Sequence, residues 1–264
     1  MKTKTRVQYL DITKALLIIM VVWGHFSLME NICYKIYNPY TIIISDLKLY
    51  WEAFFMPAFF IISGYCSSFN KPLKHFILSR IKTILLPTLI VGVITQIESC
   101  LSIYFQGFES IYWCIKTIIK SVILTIGNEW FLPTLFIGSI GVCFISQKKI
   151  NKKVALSLLF ILFLLGLYLY NNVKSLYNIW FFKHALMATI FIYIGDCLKS
   201  IQWQYWSMGK ALLIYPLLIG CIIGFGIHIP YLTNGVHITF QEIPLFLLLA
   251  LTGSLFIVEF ISNN

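Results

Sequence analysis

Eight apolar runs, each about long enough to cross a bilayer and with few charges in their interiors, leave this chain few possible folds. They lie near residues 10–29, 49–68, 83–104, 130–146, 154–170, 181–198, 210–227 and 242–260. Hydrocarbon offers no water to an unpaired backbone N–H or C=O, so runs of this kind satisfy themselves as helices. The expected fold is therefore all-α: a polytopic transmembrane helical bundle of about eight spans, one integral membrane domain over residues 1–264. With 59% hydrophobic and 11% charged residues and a mean hydropathy of +0.85, the composition excludes a water-soluble domain.

The formal charge of +10 at first invites nucleic acid as a partner. The basic residues, however, sit at the ends of the apolar runs, where the positive-inside rule places them. With the N-terminus cytoplasmic, Lys2, Lys4, Arg6, Lys71, Lys74, Arg80, Lys82, Lys148, Lys149, Lys152, Lys153, Lys199 and Lys210 fall inside. Lys35, Lys48, Lys116, Lys120, Lys174 and Lys183 fall outside. A ninth span at 109–127 would move the Lys148–Lys153 cluster outside, so that stretch reads as an amphipathic helix lying in the interface. Trp51, Trp130 and Trp180 then fall at the outer boundary, as belt residues do. The basic N-terminus imitates a signal peptide, but the following run is of spanning length, carries Asp11 and Lys14, and lacks a small-x-small cleavage site.

Chemistry concentrates in the first run, Lys14-Ala-Leu-Leu-Ile-Ile-Met-Val-Val-Trp-Gly-His25. Eleven positions at 100° each are about three turns plus 20°, so Lys14 and His25 share a face roughly 16 Å apart. A Lys and a His on one face of a spanning helix are costly unless they line a cavity. Asp11, one turn earlier, can pair with Lys14. A desolvated imidazole can act as a general base; the alternatives are a His bonded between helices and a Lys that snorkels to the interface. The second run carries Phe54-Phe55-Met56-Pro57 and ends in Ser63-Gly64-Tyr65. There Pro57 is expected to kink the helix, and the small pair lets another backbone or a ligand approach. A basic loop follows, with Lys71, Lys74, His75, Arg80 and Lys82; it suits phosphates, or is a stop-transfer cluster. His184, His228 and His237 are expected at the surface, Asp196 beside Lys199, and Glu259 near an inner helix end. Seven scattered cysteines without Cys-x-x-Cys read as core residues, a Cys33–Cys114 bridge being the minor alternative. No phosphate-binding loop and no Gly-x-Ser-x-Gly is present, which argues against an ATPase or a serine hydrolase.

Taken in order, Lys-x10-His, the Met-Pro run ending in Ser-Gly-Tyr, the basic loop before Leu-Leu-Pro87, and Trp130-Phe131-Leu132-Pro133 resemble the acyltransferase-three family of bacterial membrane O-acyltransferases. The sugar and polysaccharide O-acetyltransferase branch is closest in feel. Ala185–Lys199, with Gly195, is similar to the family's late Phe-x-x-x-Gly span. The resemblance implies a bacterial inner-membrane, multi-pass enzyme that moves an acetyl or other short acyl group from acyl-CoA to a hydroxyl. The acceptor would be a glycan or lipid-linked sugar of the cell envelope. It implies His25 as the general base, with Lys14 and Asp11 organising the inner entrance. Ser63, Gly64 and Tyr65 would line the donor path, and Arg80 and Lys82 would meet the phosphates of acetyl-CoA, with no metal needed. Glu129 and Trp130 are the acceptor-side candidates, the alternative being an interfacial carboxylate beside a belt Trp. Two departures stand out: Thr83 occupies the place of the family's second Arg, and eight spans are read where about ten are usual. The chain thus reads as short at its C-terminus. The rival readings are a transporter or exporter of a small acid or glycolipid, and an inactive truncated copy.

Overall fold

The computed structural model describes residues 8–33, 51–107, 109–124, 130–173, 179–200, 210–233 and 235–262, with backbone alone over 23–33. The elements are α1 (Gln8–Cys33), α2 (Phe55–Cys66), α3 (Leu73–Arg80), α4 (Leu86–Phe105), α5 (Ile111–Leu124), α6 (Phe131–Gln147), α7 (Lys152–Asn172), α8 (Phe182–Leu198), α9 (Lys210–Gly224) and α10 (Ile243–Ser262). A hairpin of β1 (Tyr231–Leu232) and β2 (Val236–His237) lies between α9 and α10. Each apolar run of the sequence is thus helical over most of its length. Among the described residues, four helices are long and apolar enough to cross a membrane, and three further apolar helices are shorter.

The chain divides into two compact units: Met1–Cys66 with Ile194–Asn264, and Ser67–Tyr193. In the first, α10 packs against α1, α2 and α9. Small residues set these approaches, as they do where no hydrophobic force separates helix from lipid. At Gly253 an added Cβ would fall inside the ring of Phe54. Phe54 in turn meets Tyr215 edge-on at 5.0 Å. Two buried polar groups finish helix ends. The Glu259 carboxylate, 5% exposed, accepts the Ala211 N–H at 3.1 Å and so caps α9. Thr239 and Glu242 form a capping box just before α10.

The second run is not one continuous helix. A helical stub at Trp51–Glu52 gives way to a turn at Ala53–Phe54 before α2 begins. Pro57 sits in the first turn of α2, where its missing N–H removes no helical bond, so it starts a helix and kinks none.

In the second unit α6 supplies the centre, with Thr134, Val142 and Cys143 fully buried. Gly138 admits Thr189 and Ile192 of α8. On α7, Ala155, Leu159, Phe163 and Leu167 recur every four residues and are fully buried, while Val154, Ile161 and Leu165 point outward at 44–60% exposure. A helix apolar all round yet buried on one stripe is one whose other faces meet lipid. The 109–127 stretch forms α5, which folds back on α4. Cys114 is a free thiol there, its sulfur 3.4 Å from the Cys100 carbonyl, so it forms no bridge with Cys33.

Candidate active site

The first unit holds α1. Its buried stripe is Leu10, Thr13 and Leu17. On a regular helix, positions 14 and 25 lie roughly 70–90° to one side of that stripe and Met20 roughly 50° to the other. Lys14 and the His25 position therefore flank the packed face without entering it. The Lys14 Nζ stands 3.9 Å from Asp11, each side chain about a third exposed. An exposed pair of this kind is weak, worth ~0.2–1 kcal/mol, and orients more than it stabilises. The imidazole of His25 lies outside the described side chains.

Ser63, Gly64 and Tyr65 form the last turn of α2, Gly64 buried and its neighbours half-buried. The backbone of this turn is pressed by α8: a Cβ at Gly195 would overlap the Ile61 carbonyl and crowd the Tyr65 N–H. The Phe191-x-x-x-Gly195 spacing is thus a backbone-to-backbone contact behind the Ser-Gly-Tyr turn.

The second unit holds the basic segment. Arg80 closes α3; its guanidinium donates to the Ser67 hydroxyl and sits 5.0 Å from the Phe76 ring centre. Residues Ile81–Leu85 then make a wide π-helical turn into α4, a departure from regular helix often found at functional sites. Lys71, Lys74, His75 and Lys82 are exposed. Thr83, in the place of the family's second Arg, donates to the Ser79 carbonyl at 2.9 Å and stays within its own helix. The end of α6 pins the loop before α3: Gln147 donates to the Lys71 carbonyl at 2.7 Å, and the Cys143 thiol lies 3.8 Å from that of Phe69. Sequence reasoning missed Ser67, Cys143 and Gln147, because nothing local marks a partner more than seventy residues away.

A third group gathers around His184. The expected surface position is wrong: His184 is 1% exposed. Its ring lies 5.3–5.8 Å from those of Trp130, Tyr170 and Phe181. Trp180 and Phe181 hold left-handed backbone at φ 51° and 54°, costly for non-glycine residues. The Trp180 indole, donating to the Ile123 carbonyl at 2.8 Å, fixes that turn. Lys183, also buried, donates to the Val173 carbonyl at 2.7 Å. Trp130 therefore belongs to a packed aromatic group, and Glu129 lies outside the described residues. His228 and His237 are exposed, and Asp196 pairs with Lys199 at 2.6 Å.

Residues 7–263 match the family model Acyl_transf_3, described as an acyltransferase domain. The chain belongs to the acyltransferase-three family. No curated protein and no solved structure matches it. The match spans both compact units, so the basic segment, the π-helical turn and the His184 group all belong to the acyltransferase region. The family and the outward apolar faces of α4 and α7 together make this acyltransferase a membrane protein.

Proposed function

We propose that the protein is an integral membrane O-acyltransferase. It moves an acetyl or other short acyl group from acyl-CoA to a hydroxyl of a glycan or lipid-linked sugar. The observation that carries this reading is the family match over 7–263, with Lys14 and His25 at the family's spacing on the single helix α1. Eight spans with a cytoplasmic N-terminus put the exposed Lys71, Lys74 and Lys82 on the side from which acyl-CoA arrives. Lys82 and Arg80 meet its phosphates, and the guanidinium is already oriented by Ser67 and Phe76.

The thioester runs along the Lys14–His25 face, past the Ser63–Tyr65 turn. The His25 imidazole takes the proton from the acceptor hydroxyl as its oxygen attacks the thioester carbonyl carbon. The tetrahedral intermediate collapses, the carbon–sulfur bond breaks, and the CoA thiolate leaves with a proton returned by His25. A positioned base of this kind contributes roughly 10²–10⁴-fold. The test is acetyl transfer by membranes with and without the protein, supplied with radiolabelled acetyl-CoA. Label in a glycan or lipid fraction only when the protein is present supports the reading; equal label in both overturns it.

A further inference from the structure

The first unit contains a slot that the acyl-transfer face does not use. It encloses about 380 Å³ among α1, the Trp51–Phe54 segment, α9 and α10. Met20, Phe54, Tyr215, Ile219 and Phe256 supply much of its wall, which is almost wholly hydrocarbon and aromatic ring. Two residues of α9 open it. Pro216 interrupts the ladder of helical bonds. Gly220 withholds a side chain where a Cβ would meet nothing within 4 Å. At roughly 30 Å³ for a water-sized group, the slot has room for about a dozen methylenes.

One end of the slot is polar. Trp51, in its wall, is followed by Glu52, a carboxylic acid 6% exposed. Tyr231 of the hairpin lies near that group: its phenol is pushed up by burial and, secondarily, by the negative charge of Glu52. Tyr231 also stacks on its cross-strand partner His237 at 4.4 Å. The opposite end of this unit carries Asp11, Lys14 and the Glu259 cap on Ala211. Ile219 and Ile223 stand roughly 12–18 Å along α9 from that cap.

With the O-acyltransferase reading as its premise, we propose that this slot takes the hydrocarbon tail of a glycolipid acceptor, its sugar head against Glu52, Tyr231 and His237. Tail and head match the two chemistries of the site. A carboxylate accepts hydrogen bonds from sugar hydroxyls, and the Tyr231–His237 pair offers ring faces to a sugar. The same carboxylate repels the phosphates of CoA, which keeps the donor on the other flank of α1. Met20, in the slot wall, is five positions before His25, roughly 7.5 Å along the axis and on the opposite side of the buried stripe. A tail held there leaves the head one and a half turns along from the base.

The probe is hexadecyl glucoside with a diazirine at mid-chain, photolysed in membranes carrying the wild type, Gly220→Leu or Gly220→Ala. Both substitutions enter open space, the alanine least. The slot predicts label on the α9 peptide, displaced by unlabelled hexadecyl glucoside and not by hexadecanoyl-CoA. It predicts at least a tenfold loss in Gly220→Leu and a smaller one in Gly220→Ala. Displacement by hexadecanoyl-CoA would make the slot a donor-chain site. Label indifferent to both competitors and both variants would mean bulk lipid only; either result overturns the assignment. Transfer from radiolabelled acetyl-CoA to hexadecyl glucoside is read in parallel. Specific label without any transfer removes the enzymatic reading and keeps the slot, whereas transfer without specific label removes the slot alone.

Discussion

At the scale of single residues, small or buried groups carry the design. Gly195 lets α8 touch the backbone of α2 behind the Ser63–Tyr65 turn. Gly195→Ala forces a methyl against the Ile61 carbonyl, and overpacking of this kind costs ~1–3 kcal/mol. A lowered melting temperature in detergent, with a matching loss of transfer, is the expected result; an unchanged Tm would show that α8 yields without cost. Glu259 is a second case. Its carboxylate satisfies a buried N–H at the start of α9, so Glu259→Ala removes a cap worth about 1 kcal/mol. Glu259→Gln keeps an acceptor oxygen and should melt close to the wild type, a comparison thermal unfolding makes directly. The sequence signalled Gly195 through its four-residue spacing from Phe191. The role of Glu259 was illegible, because its partner is an amide forty-eight positions away. His184 was misread for a related reason: its burial comes from rings on α7, at Trp130 and in a strained turn, none adjacent in sequence apart from Phe181.

At the scale of elements, hydrophobic length was a sound guide to where helices lie. All eight runs are helical, with ends mostly within a few residues of those expected. It failed where local bonding overrode length. The run at 49–68 breaks at Ala53–Phe54 and restarts with Pro57 in a first turn; apolar composition alone does not distinguish that from one continuous helix. The basic segment shows the same limit. Its charges were visible, but the clamp on its loop was not. Gln147→Ala removes the bond to the Lys71 carbonyl, worth ~0.5–1.5 kcal/mol net. If this loop presents the cations that meet acyl-CoA, KM for acyl-CoA rises roughly two- to tenfold while kcat holds. Steady-state kinetics with varied acetyl-CoA separate this from a general loss of fold, which would lower kcat as well.

At the scale of the molecule, the outward faces of α4 and α7 are apolar and exposed, as a lipid-facing surface requires. The distribution of lysines then sets the expected orientation, with the Lys148–Lys153 turn inside and the β1–β2 hairpin outside. A phosphatase reporter active only outside the cytoplasm should stay silent when fused after Lys149 and be active when fused after Thr233. The reverse pattern would invert the direction from which acyl-CoA reaches Lys14. The central claim is narrower: one imidazole on α1 carries the transfer. It is tested most directly with membranes holding equal amounts of wild type and His25→Gln, supplied with radiolabelled acetyl-CoA and envelope glycolipids. The account predicts a fall of at least about a hundredfold in acetyl transfer for the variant, with the protein level unchanged. Transfer by His25→Gln at the wild-type rate would contradict it.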